Sequence, residues 1–337
     1  MSKNIGVIGA GGWGIALAKL LAEKNEQVTL WCHGEDNYRE LRRKRESPTY
    51  LAGIHLPQAV QITRALGDAV SDKMIIICAV PSHAVRQVMT QAAEHTHSEA
   101  RIVCAAKGLE EETLKTMGEV LIDIFGTPRM SHHAFLSGPT FALEVARGLP
   151  AAVTAAAAAG DIASEIQALF SNSNLRVYTS GDVVGVQMGG VVKNIIAIAA
   201  GISDGLGLGQ NARAALVTRG LAEMTRLAVR MGADPLTLAG LPGLGDLILT
   251  CAGDLSRNRK VGLEIAKGLS LREITANTKS VAEGIRNARS VYLLARRLDI
   301  EMPIVEQMFC VLYQGKKASE AVRDLLQRSL KAEIPQN

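Results

Sequence analysis

The chain has 337 residues and a formal net charge of +4, with 47% hydrophobic and 21% charged residues. This length suggests about two domains, and the apolar content excludes a chain that is disordered throughout. The charge is too small to indicate nucleic-acid binding by itself. Aromatic residues are scarce, at 4%, while glycine and alanine are abundant, which favours packed helices and tight βα turns over an all-β fold.

The first half of the chain alternates short β-branched runs with amphipathic segments. Apolar runs separated by helical patterns predict a mostly parallel sheet covered by helices on both faces. Pro81-Ser82 and Gly138-Pro139-Thr140 each follow a predicted strand and mark helix starts. The predicted strands are NIGVIG, QVTLWC, MIIICAV, RIVCAA, HAFLSG and AAVTAA.

The first of these strands leads into a glycine fingerprint, Gly9-x-Gly11-x-x-Gly14. An apolar helix pattern follows it, and a second strand begins about 20 residues later, the context of a dinucleotide-binding turn. Gly9 permits the tight turn, Gly11 lets backbone N–H groups approach a pyrophosphate, and Gly14 lets helix and strand pack closely. The alternative is a glycine-rich turn that binds no ligand.

The end of the second predicted strand bears on the choice of cofactor. An acidic residue there would bind the adenosine ribose 2′-hydroxyl of NAD and repel a 2′-phosphate. Here Trp31, Cys32 and His33 occupy the strand end, and the first acid is Glu35. NADP is therefore not excluded beside NAD. The basic run of residues 39–45 either reaches a phosphate or forms a solvated helix face.

From Gly181 onward, apolar residues recur at helical spacing and strand signals disappear. The segments that begin at Asn211 and Val281 each predict a helix, the first ended by Gly232 and Pro235. We therefore expect an α/β dinucleotide-binding domain, residues 1–180, followed by an all-helical substrate-binding domain, residues 181–337.

A long apolar stretch opens the second half. Residues 183–202 are long enough to span a membrane, but they include Gln187, Lys193, Asn194 and four glycines. No second such stretch and no positively charged flank accompany it. We therefore predict a buried core helix and no membrane span.

Lys193 is the only charged residue in that stretch, and a buried ammonium is costly unless it has a partner or a task. Gly189, Gly190 and Ala197 would share its helix face, which predicts room for a ligand beside it. Burial lowers a lysine pKa, so Lys193 is a candidate proton acceptor. The alternatives are pairing with a buried carboxylate or extension to the surface.

Three further segments carry candidate binding residues. Lys107 follows a predicted strand, at the edge of a parallel sheet where ligands bind. Gly138 and Thr140 are expected at a helix N-terminus suited to anions. A glycine-rich segment with one arginine suits a phosphate dianion through charge-assisted hydrogen bonds. Each segment alone is also compatible with a helix cap or turn. The polar residues of the third segment are Asp246, Thr250, Ser256, Arg257 and Asn258.

Neither cysteines nor histidines indicate a metal site. The five cysteines are scattered and show no C-x-x-C spacing, so we expect neither a disulfide framework nor a zinc site and infer a reducing cytosol. The N-terminus shows no apolar segment typical of a secretory signal. The histidine pairs His95/His97 and His132/His133 lie in predicted loops without partner ligands.

The chain resembles the NAD(P)-dependent glycerol-3-phosphate dehydrogenases of the bacterial type over nearly its whole length. The family has a Rossmann-type, mostly parallel sheet domain followed by an all-α domain, and it interconverts dihydroxyacetone phosphate and sn-glycerol 3-phosphate. The stretches that carry the resemblance are GAGGWG, VPSH, AAKGLE, SGPTFA, GVQMGGVVKNIIAIAAGISDGLGLGQNARAALVTRGLAEM, GLGDLILTC, SRNRKVG, VAEG and MPI.

The resemblance implies a role for each matching residue. Lys193 is implied as the proton acceptor, with Lys107 and Asp246 as further catalytic residues. The implied substrate-binding residues are Lys107, Gly138, Thr140, Lys193, Asp246, Thr250, Ser256, Arg257 and Asn258. The implied cofactor-binding residues are Gly9, Gly11, Gly12, Trp13, Gly14, His33, Lys107, Ala142, Arg257, Val281 and Glu283.

The family also implies NAD or NADP without a metal, a homodimer formed through the helical domain, a cytoplasmic location and a role in glycerophospholipid synthesis. Gly12 and Ile15 depart from the Ser or Asn and the Thr common at those positions, so we expect a weaker or altered hold on the cofactor. Two other functions stay open at this point: a dehydrogenase of another small hydroxy acid on the same scaffold, and a non-catalytic dinucleotide sensor.

Overall fold

A computed structural model describes residues 3–276, 282–330 and 332–333. Its strands form one eight-stranded sheet and a separate two-stranded hairpin. The strands are β1 (Asn4–Ile8), β2 (Gln27–Trp31), β3 (Glu46–Ser47), β4 (Leu51–His55), β5 (Gln61–Thr63), β6 (Ile75–Cys78), β7 (Arg101–Cys104), β8 (His133–Ser137), β9 (Ala151–Ala157) and β10 (Leu175–Ser180).

Helices cover the sheet and make up the second half of the described chain. A 3-10 helix, Thr127–His132, precedes β8, and a π-helical turn, Leu241–Gly245, precedes α11. The α-helices are α1 (Gly12–Glu23), α2 (Glu35–Lys44), α3 (Leu66–Val70), α4 (Ser82–Ala93), α5 (Met117–Phe125), α6 (Ala142–Ala146), α7 (Gly160–Phe170), α8 (Val183–Gly205), α9 (Gly209–Arg230), α10 (Pro235–Ala239), α11 (Asp246–Ala252), α12 (Arg257–Ala266), α13 (Leu271–Ala276), α14 (Glu283–Arg297), α15 (Pro303–Tyr313) and α16 (Ala318–Leu326).

The order of the strands puts a topological switch point, where open α/β sheets form their binding crevice, at the carboxyl end of β1. The sheet runs β10-β9-β8-β7-β6-β1-β2-β5, and only the β8–β9 pair is antiparallel. The chain passes from β1 to β2 on one side and reaches β6 on the other, so the connections diverge at β1. Ligands of open α/β sheets bind at such a point, outside the carboxyl ends of the strands.

All six predicted strands are present, and the predicted fold class, a mostly parallel sheet followed by helices, is confirmed. The sequence analysis missed β5, β10 and the β3–β4 hairpin. These strands lack the continuous apolar run of a buried strand: β5 has three residues, and β10 alternates buried with exposed positions. His133 begins β8 and is buried, which agrees with the predicted strand HAFLSG and not with the loop assigned to the pair His132/His133.

Helix α8 is the centre of the second half. It is long and apolar enough to cross a membrane, but 83% of its most apolar window is buried by the rest of the protein. The prediction of a buried core helix is therefore confirmed. The contact between α8 and α12 is close because two glycines meet there: a Cβ on Gly262 would lie 2.0 Å from the carbonyl oxygen of Ile198, and one on Gly201 would lie 2.0 Å from that of Arg259.

Strand β10 ends at Ser180, and Asp182 caps α8 by accepting a hydrogen bond from Gly185 N–H. This position coincides with the change from alternating strands and helices to helices alone. The division into two domains at residue 180 stays a prediction. All five cysteines are free thiols.

Candidate active site

The glycine turn between β1 and α1 is shaped for a ligand. Gly9 has φ +114°, and a Cβ there would lie 2.9 Å from the backbone of Ala79. A Cβ on Gly14 would meet the carbonyl oxygen of Gly9 at 1.8 Å, so helix and turn pack closely. A Cβ on Gly11 would point into open space, and no side chain caps the N-terminus of α1. The exposed N–H groups of this helix end fit a pyrophosphate.

The other residues expected beside this turn lie around it. Trp13 follows Gly12 in the first turn of α1, and its indole Nε1 is buried without a hydrogen-bond partner in the described part of the chain. A Cβ on Gly12 would lie 3.1 Å from the carbonyl oxygen of Tyr50 and 3.7 Å from the Cβ of Ala142. Ala142 therefore faces the glycine turn, and its contact with the cofactor stays a prediction. A side chain at position 12 would crowd Tyr50.

Two lysines share one buried carboxylate. Lys193 Nζ donates to Asp246 Oδ1 at 2.5 Å, and Lys107 Nζ donates to Asp246 Oδ2 at 2.7 Å. Asp246 is fully buried and Lys193 is 7% exposed. Lys107 follows β7 at the carboxyl edge of the sheet, whereas Lys193 and Asp246 belong to α8 and α11. The cluster thus joins the two halves of the chain at the edge where the crevice opens.

The electrostatic setting of Lys193 suits proton transfer near neutral pH. Desolvation lowers the pKa of Lys193 to about 8; Asp246 opposes this shift, and the charge of Lys107 adds to it. Desolvation also raises the pKa of Glu283, against the influence of Arg257, Lys107 and Lys193. The charges of Arg257 and Lys193 thus both act on Glu283.

Protein atoms pack against both glycines beside Lys193 on α8, and room for a ligand next to this lysine stays a prediction. A Cβ on Gly189 would lie 2.2 Å from the carbonyl oxygen of Pro242, so the π-helical turn packs this closely on α8 only because residue 189 has no side chain. A Cβ on Gly190 would lie 3.2 Å from the side chain of Lys107. The two glycines let Asp246 and Lys107 reach Lys193. Lys193 does pair with a buried carboxylate, that of Asp246, and this pairing is compatible with a role in proton transfer.

The π-helical turn positions Asp246 next to the two lysines. Asp246 is the first residue of α11, directly after this turn, and its backbone carbonyl accepts a hydrogen bond from Thr250 Oγ1 at 2.6 Å. Thr250 Oγ1 is also 3.5 Å from Asp246 Oδ1. The buried Thr250 hydroxyl therefore lies within reach of the carboxylate that holds both amines.

Helix α12 begins beside the same cluster. Ser256 caps it by accepting a hydrogen bond from Arg259 N–H at 3.2 Å, so this serine does serve as a helix cap. Asn258 is buried, donates from Nδ2 to Asn194 Oδ1 at 2.8 Å, and accepts from Gly284 N–H at 2.9 Å. Its neighbour Arg257 is exposed at the helix start.

Gly138 and Thr140 lie close to Lys107, but not at a helix N-terminus as predicted. Lys107 Nζ is 3.4 Å from the carbonyl oxygen of Gly138, which also accepts a hydrogen bond from Thr140 Oγ1 at 3.2 Å. Helix α6 begins only at Ala142, because Phe141 still has an extended backbone. Gly138 and Thr140 therefore lie in the loop before α6, where the Gly138 carbonyl is in contact with Lys107.

Three further predicted cofactor positions remain, and one of them lies outside the described residues. His33 is exposed just after β2, with its ring 5.6 Å from that of Trp31. Glu283 begins α14. Val281 lies outside the described residues. No group of three metal-ligating side chains occurs within residues 3–276, 282–330 and 332–333.

Comparison with known proteins identifies the family. The model of the NAD-dependent glycerol-3-phosphate dehydrogenase N-terminus matches residues 4–163, and that of the C-terminus matches residues 182–323. The chain belongs to the NAD-dependent glycerol-3-phosphate dehydrogenase family. The family predicted from sequence is therefore confirmed, and these matches favour neither of the two other functions considered.

Members of this glycerol-3-phosphate dehydrogenase family match the chain from end to end. It is 52% identical over 333 residues to glycerol-3-phosphate dehydrogenase (NAD(P)+) of Geobacter sp. strain M21, covering 99% of both chains. It is 52% identical over 328 residues to the enzyme of the same name from Anaeromyxobacter dehalogenans, covering 97% of this chain and 99% of the relative. The crystal structure of glycerol-3-phosphate dehydrogenase from Coxiella burnetii superposes with a TM-score of 0.93 at 37% identity, covering 97% of this chain and 99% of that one.

Sequence reasoning for this family member missed Asn194 and Asn287. Asn194 is buried next to Lys193 and accepts the hydrogen bond of Asn258, while Asn287 is buried and donates to the carbonyl of Val191 at 3.3 Å. An amide in the apolar run VVKNII is itself a signal, because buried amides need hydrogen-bond partners. The partners, however, are known only from the packing of α12 and α14 on α8.

Proposed function

We propose that this chain catalyses reversible hydride transfer between NAD(P)H and dihydroxyacetone phosphate, which gives sn-glycerol 3-phosphate. The observation that carries the proposal is the buried amine of Lys193, with its pKa lowered to about 8, held beside Lys107 at the carboxyl edge of a dinucleotide-type sheet. This arrangement offers a proton donor and acceptor where a nicotinamide would reach.

The residues around the glycine turn would hold the cofactor. N–H groups at the start of α1 would bind the pyrophosphate, and Ala142 and Trp13 border the same turn. When bound, the cofactor supplies or accepts the hydride. His33 lies at the adenosine end, and Arg257 and Glu283 lie on the side of the lysines. The open space at Gly11 and the uncapped helix end support this fit.

The start of α12 would bind the substrate phosphate. Arg257 is an exposed cation in the first turn, where the helix dipole also favours an anion. Ser256 and Asn258 flank it, and Gly138, Thr140 and Thr250 provide further polar groups near the lysines. Anchoring the phosphate fixes the position of the carbonyl, and such orientation is worth several kcal/mol in related intramolecular reactions.

Lys193 would move the proton. As an ammonium it donates to the substrate oxygen during reduction, and as an amine it accepts the hydroxyl proton during oxidation. Asp246 holds Lys193 in place and favours its charged form, whereas Lys107 opposes that charge and is itself available to the substrate oxygen. Asp246 thus raises the pKa of Lys193, and Lys107 lowers it.

Replacing Lys193 tests the proposal. We expect Lys193→Ala to lower kcat for dihydroxyacetone phosphate reduction by about 10²–10⁴-fold, while NADH and NADPH still bind in a fluorescence titration. Lys73→Ala is the matched control, because Lys73 is also buried and has a lowered pKa but pairs with Asn4 at the start of β1. The control should turn over like the unmodified protein.

Two results would contradict the proposal. Equal turnover in Lys193→Ala would show that this amine moves no proton, as a dinucleotide sensor would predict. Faster reduction of 2- or 3-keto acids than of dihydroxyacetone phosphate by the unmodified protein would favour another hydroxy-acid dehydrogenase on this scaffold.

The cellular setting belongs to the same proposal. We place the enzyme in the cytoplasm as a homodimer formed through the helical half, with its product feeding glycerophospholipid synthesis. The division at residue 180 assigns cofactor binding to the α/β half and phosphate binding to the helical half. The support is the family membership together with free cysteines throughout.

A further inference from the structure

An acidic side chain near the end of α8 binds two arginines that belong to two other helices. Arg259 Nε and Nη2 lie 2.9 and 2.8 Å from Asp204 Oδ2. Arg213 Nη1 donates to both carboxylate oxygens of Asp204, at 3.3 and 3.2 Å. The side chains of Asp204, Arg259 and Arg213 are 15%, 14% and 25% exposed, so water and salt screen these ion pairs only weakly.

Asp204 depends on these partners because its position in the helix is unfavourable for an acid. It is the last residue but one of α8, where the negative end of the helix dipole repels a carboxylate. A largely buried charge is also costly unless it is paired. The two guanidiniums meet this requirement, one from α9 and one from α12. The carboxylate therefore connects the end of α8 to the beginning of both helices.

The arginine from α12 lies in the first turn of that helix, next to the residues expected to bind phosphate. Its N–H donates to the capping hydroxyl of Ser256 at 3.2 Å, while its side chain reaches Asp204. A Cβ on Gly201 would lie 2.0 Å from the carbonyl oxygen of Arg259, so the backbone of α12 also packs directly on α8 here. Both the backbone and the side chain of Arg259 are thus held against α8, which fixes the start of α12.

We propose that Asp204 is a positioning residue for the substrate phosphate: by holding Arg259, it fixes the helix start that presents Arg257 to the anion. The inference rests on the proposed function in taking the start of α12 as the phosphate site. Asp204 is not a catalytic residue, because it lies 11 residues beyond Lys193 on the same helix, about 16 Å along the axis. Its effect should therefore be on substrate binding and not on proton transfer.

Substrate binding and turnover in Asp204→Asn test the proposal. The amide keeps the shape of the side chain but removes its charge, so Arg259 loses its ion pair. We expect the Kd of glycerol 3-phosphate, measured by isothermal titration calorimetry, to rise about tenfold. The KM for dihydroxyacetone phosphate should rise by the same factor, while kcat changes less than about threefold. The Kd of NADH should stay unchanged.

A substrate without the phosphate separates positioning from general damage to the protein. The kcat/KM of dihydroxyacetone should be the same in Asp204→Asn and the unmodified protein, whereas that of dihydroxyacetone phosphate falls about tenfold. A purely structural role would lower both. If circular dichroism shows that Asp204→Asn does not fold, the same two values are measured in Arg259→Lys, which keeps the charge but replaces the planar fork with a point charge. The same selective loss is expected there.

Asp254→Asn is the matched control. Asp254 accepts a hydrogen bond from the same guanidinium, from Arg259 Nη1 at 3.0 Å, but its side chain is 96% exposed. The substitution changes the net charge equally, and exposed ion pairs contribute little. This variant should bind glycerol 3-phosphate and reduce dihydroxyacetone phosphate as the unmodified protein does.

Several outcomes would overturn the positioning role. These are an unchanged Kd of glycerol 3-phosphate in Asp204→Asn, an equal loss with and without the substrate phosphate, and an equal loss in Asp254→Asn. Tighter binding of glycerol 3-phosphate by Asp204→Asn would also overturn it, because the released Arg259 would then bind the phosphate itself.

Failure of the proposed function has a different signature. If the unmodified protein binds glycerol 3-phosphate and Asp204→Asn weakens this binding, but no dihydroxyacetone phosphate is reduced, the reaction is wrong and the positioning role stands. If the unmodified protein reduces dihydroxyacetone phosphate and Asp204→Asn has the same KM, only the positioning role is wrong. If the unmodified protein does not bind glycerol 3-phosphate, both proposals are wrong.

Discussion

At the scale of single residues, the proposed role of Lys193 makes the direction of proton transfer depend on its protonation state. Desolvation lowers its pKa to about 8, Asp246 opposes the shift, and Lys107 adds to it. Reduction needs the ammonium and oxidation needs the neutral amine. We therefore expect kcat for dihydroxyacetone phosphate reduction to fall as the pH rises through about 8, and kcat for glycerol 3-phosphate oxidation to rise over the same interval, measured at saturating cofactor.

Asp246→Asn supplies the control for this assignment. Asp246 favours the charged lysine, so its neutral replacement should move the midpoint of both profiles to lower pH. A midpoint that stays in place, or profiles that rise and fall together in both directions, would assign the titration to a different group.

At the scale of elements, the contact between α8 and the π-helical turn sets the position of Asp246. A Cβ on Gly189 would lie 2.2 Å from the Pro242 carbonyl oxygen, and backbone atoms cannot move aside as a flexible side chain can. Gly189→Ala gains about 1 kcal/mol of helix propensity but overpacks the contact, which costs about 1–3 kcal/mol. We expect a net loss in the free energy of unfolding and, because Asp246 shifts, a lower kcat.

Gly160→Ala is the corresponding control in urea unfolding, since Gly160 begins α7 and a Cβ there would meet nothing within 4 Å. It should leave stability equal or slightly higher. A Gly189→Ala protein as stable and as active as the unmodified one would show that the turn does not depend on this close approach.

At the scale of the whole molecule, the Lys107–Asp246 pair connects residues 139 positions apart, one in each half of the chain. Both side chains are largely buried, at 16% and 1% exposure, so screening by water is weak. A double-mutant cycle with Lys107→Met and Asp246→Asn should give a coupling of about 1 kcal/mol or more in the free energy of unfolding, with each single variant destabilised.

The exposed pair Lys267–Glu264, at 2.9 Å within α12 and its C-terminal cap, is the control cycle. Exposed pairs of this kind couple by about 0.3–0.5 kcal/mol. Equal coupling in the two cycles would mean that the buried pair does not tie the halves together.

Local patterns were sufficient for the elements whose burial is uniform. The buried strands β1, β6 and β7 are continuous apolar runs in the sequence. The length of α8, its glycines and its single charge together predicted a buried core helix. The edge strands β5 and β10 were missed because an exposed face breaks that run. The start of α6 was predicted too early. Pro139 suggested a helix start, but the backbone of Phe141 is extended and α6 begins at Ala142.

The sequence by itself determined the family, the order of strands and helices in the buried parts, and the residues that carry the candidate chemistry. These follow from short-range patterns of burial, glycine and charge. Only the tertiary structure decided that Lys193 pairs with Asp246, 53 positions away, and that Gly189 and Gly190 face Pro242 and Lys107. Such contacts depend on how helices and strands pack. The free energy of a buried charge depends on neighbours that are distant in sequence, so a local sequence pattern does not predict it.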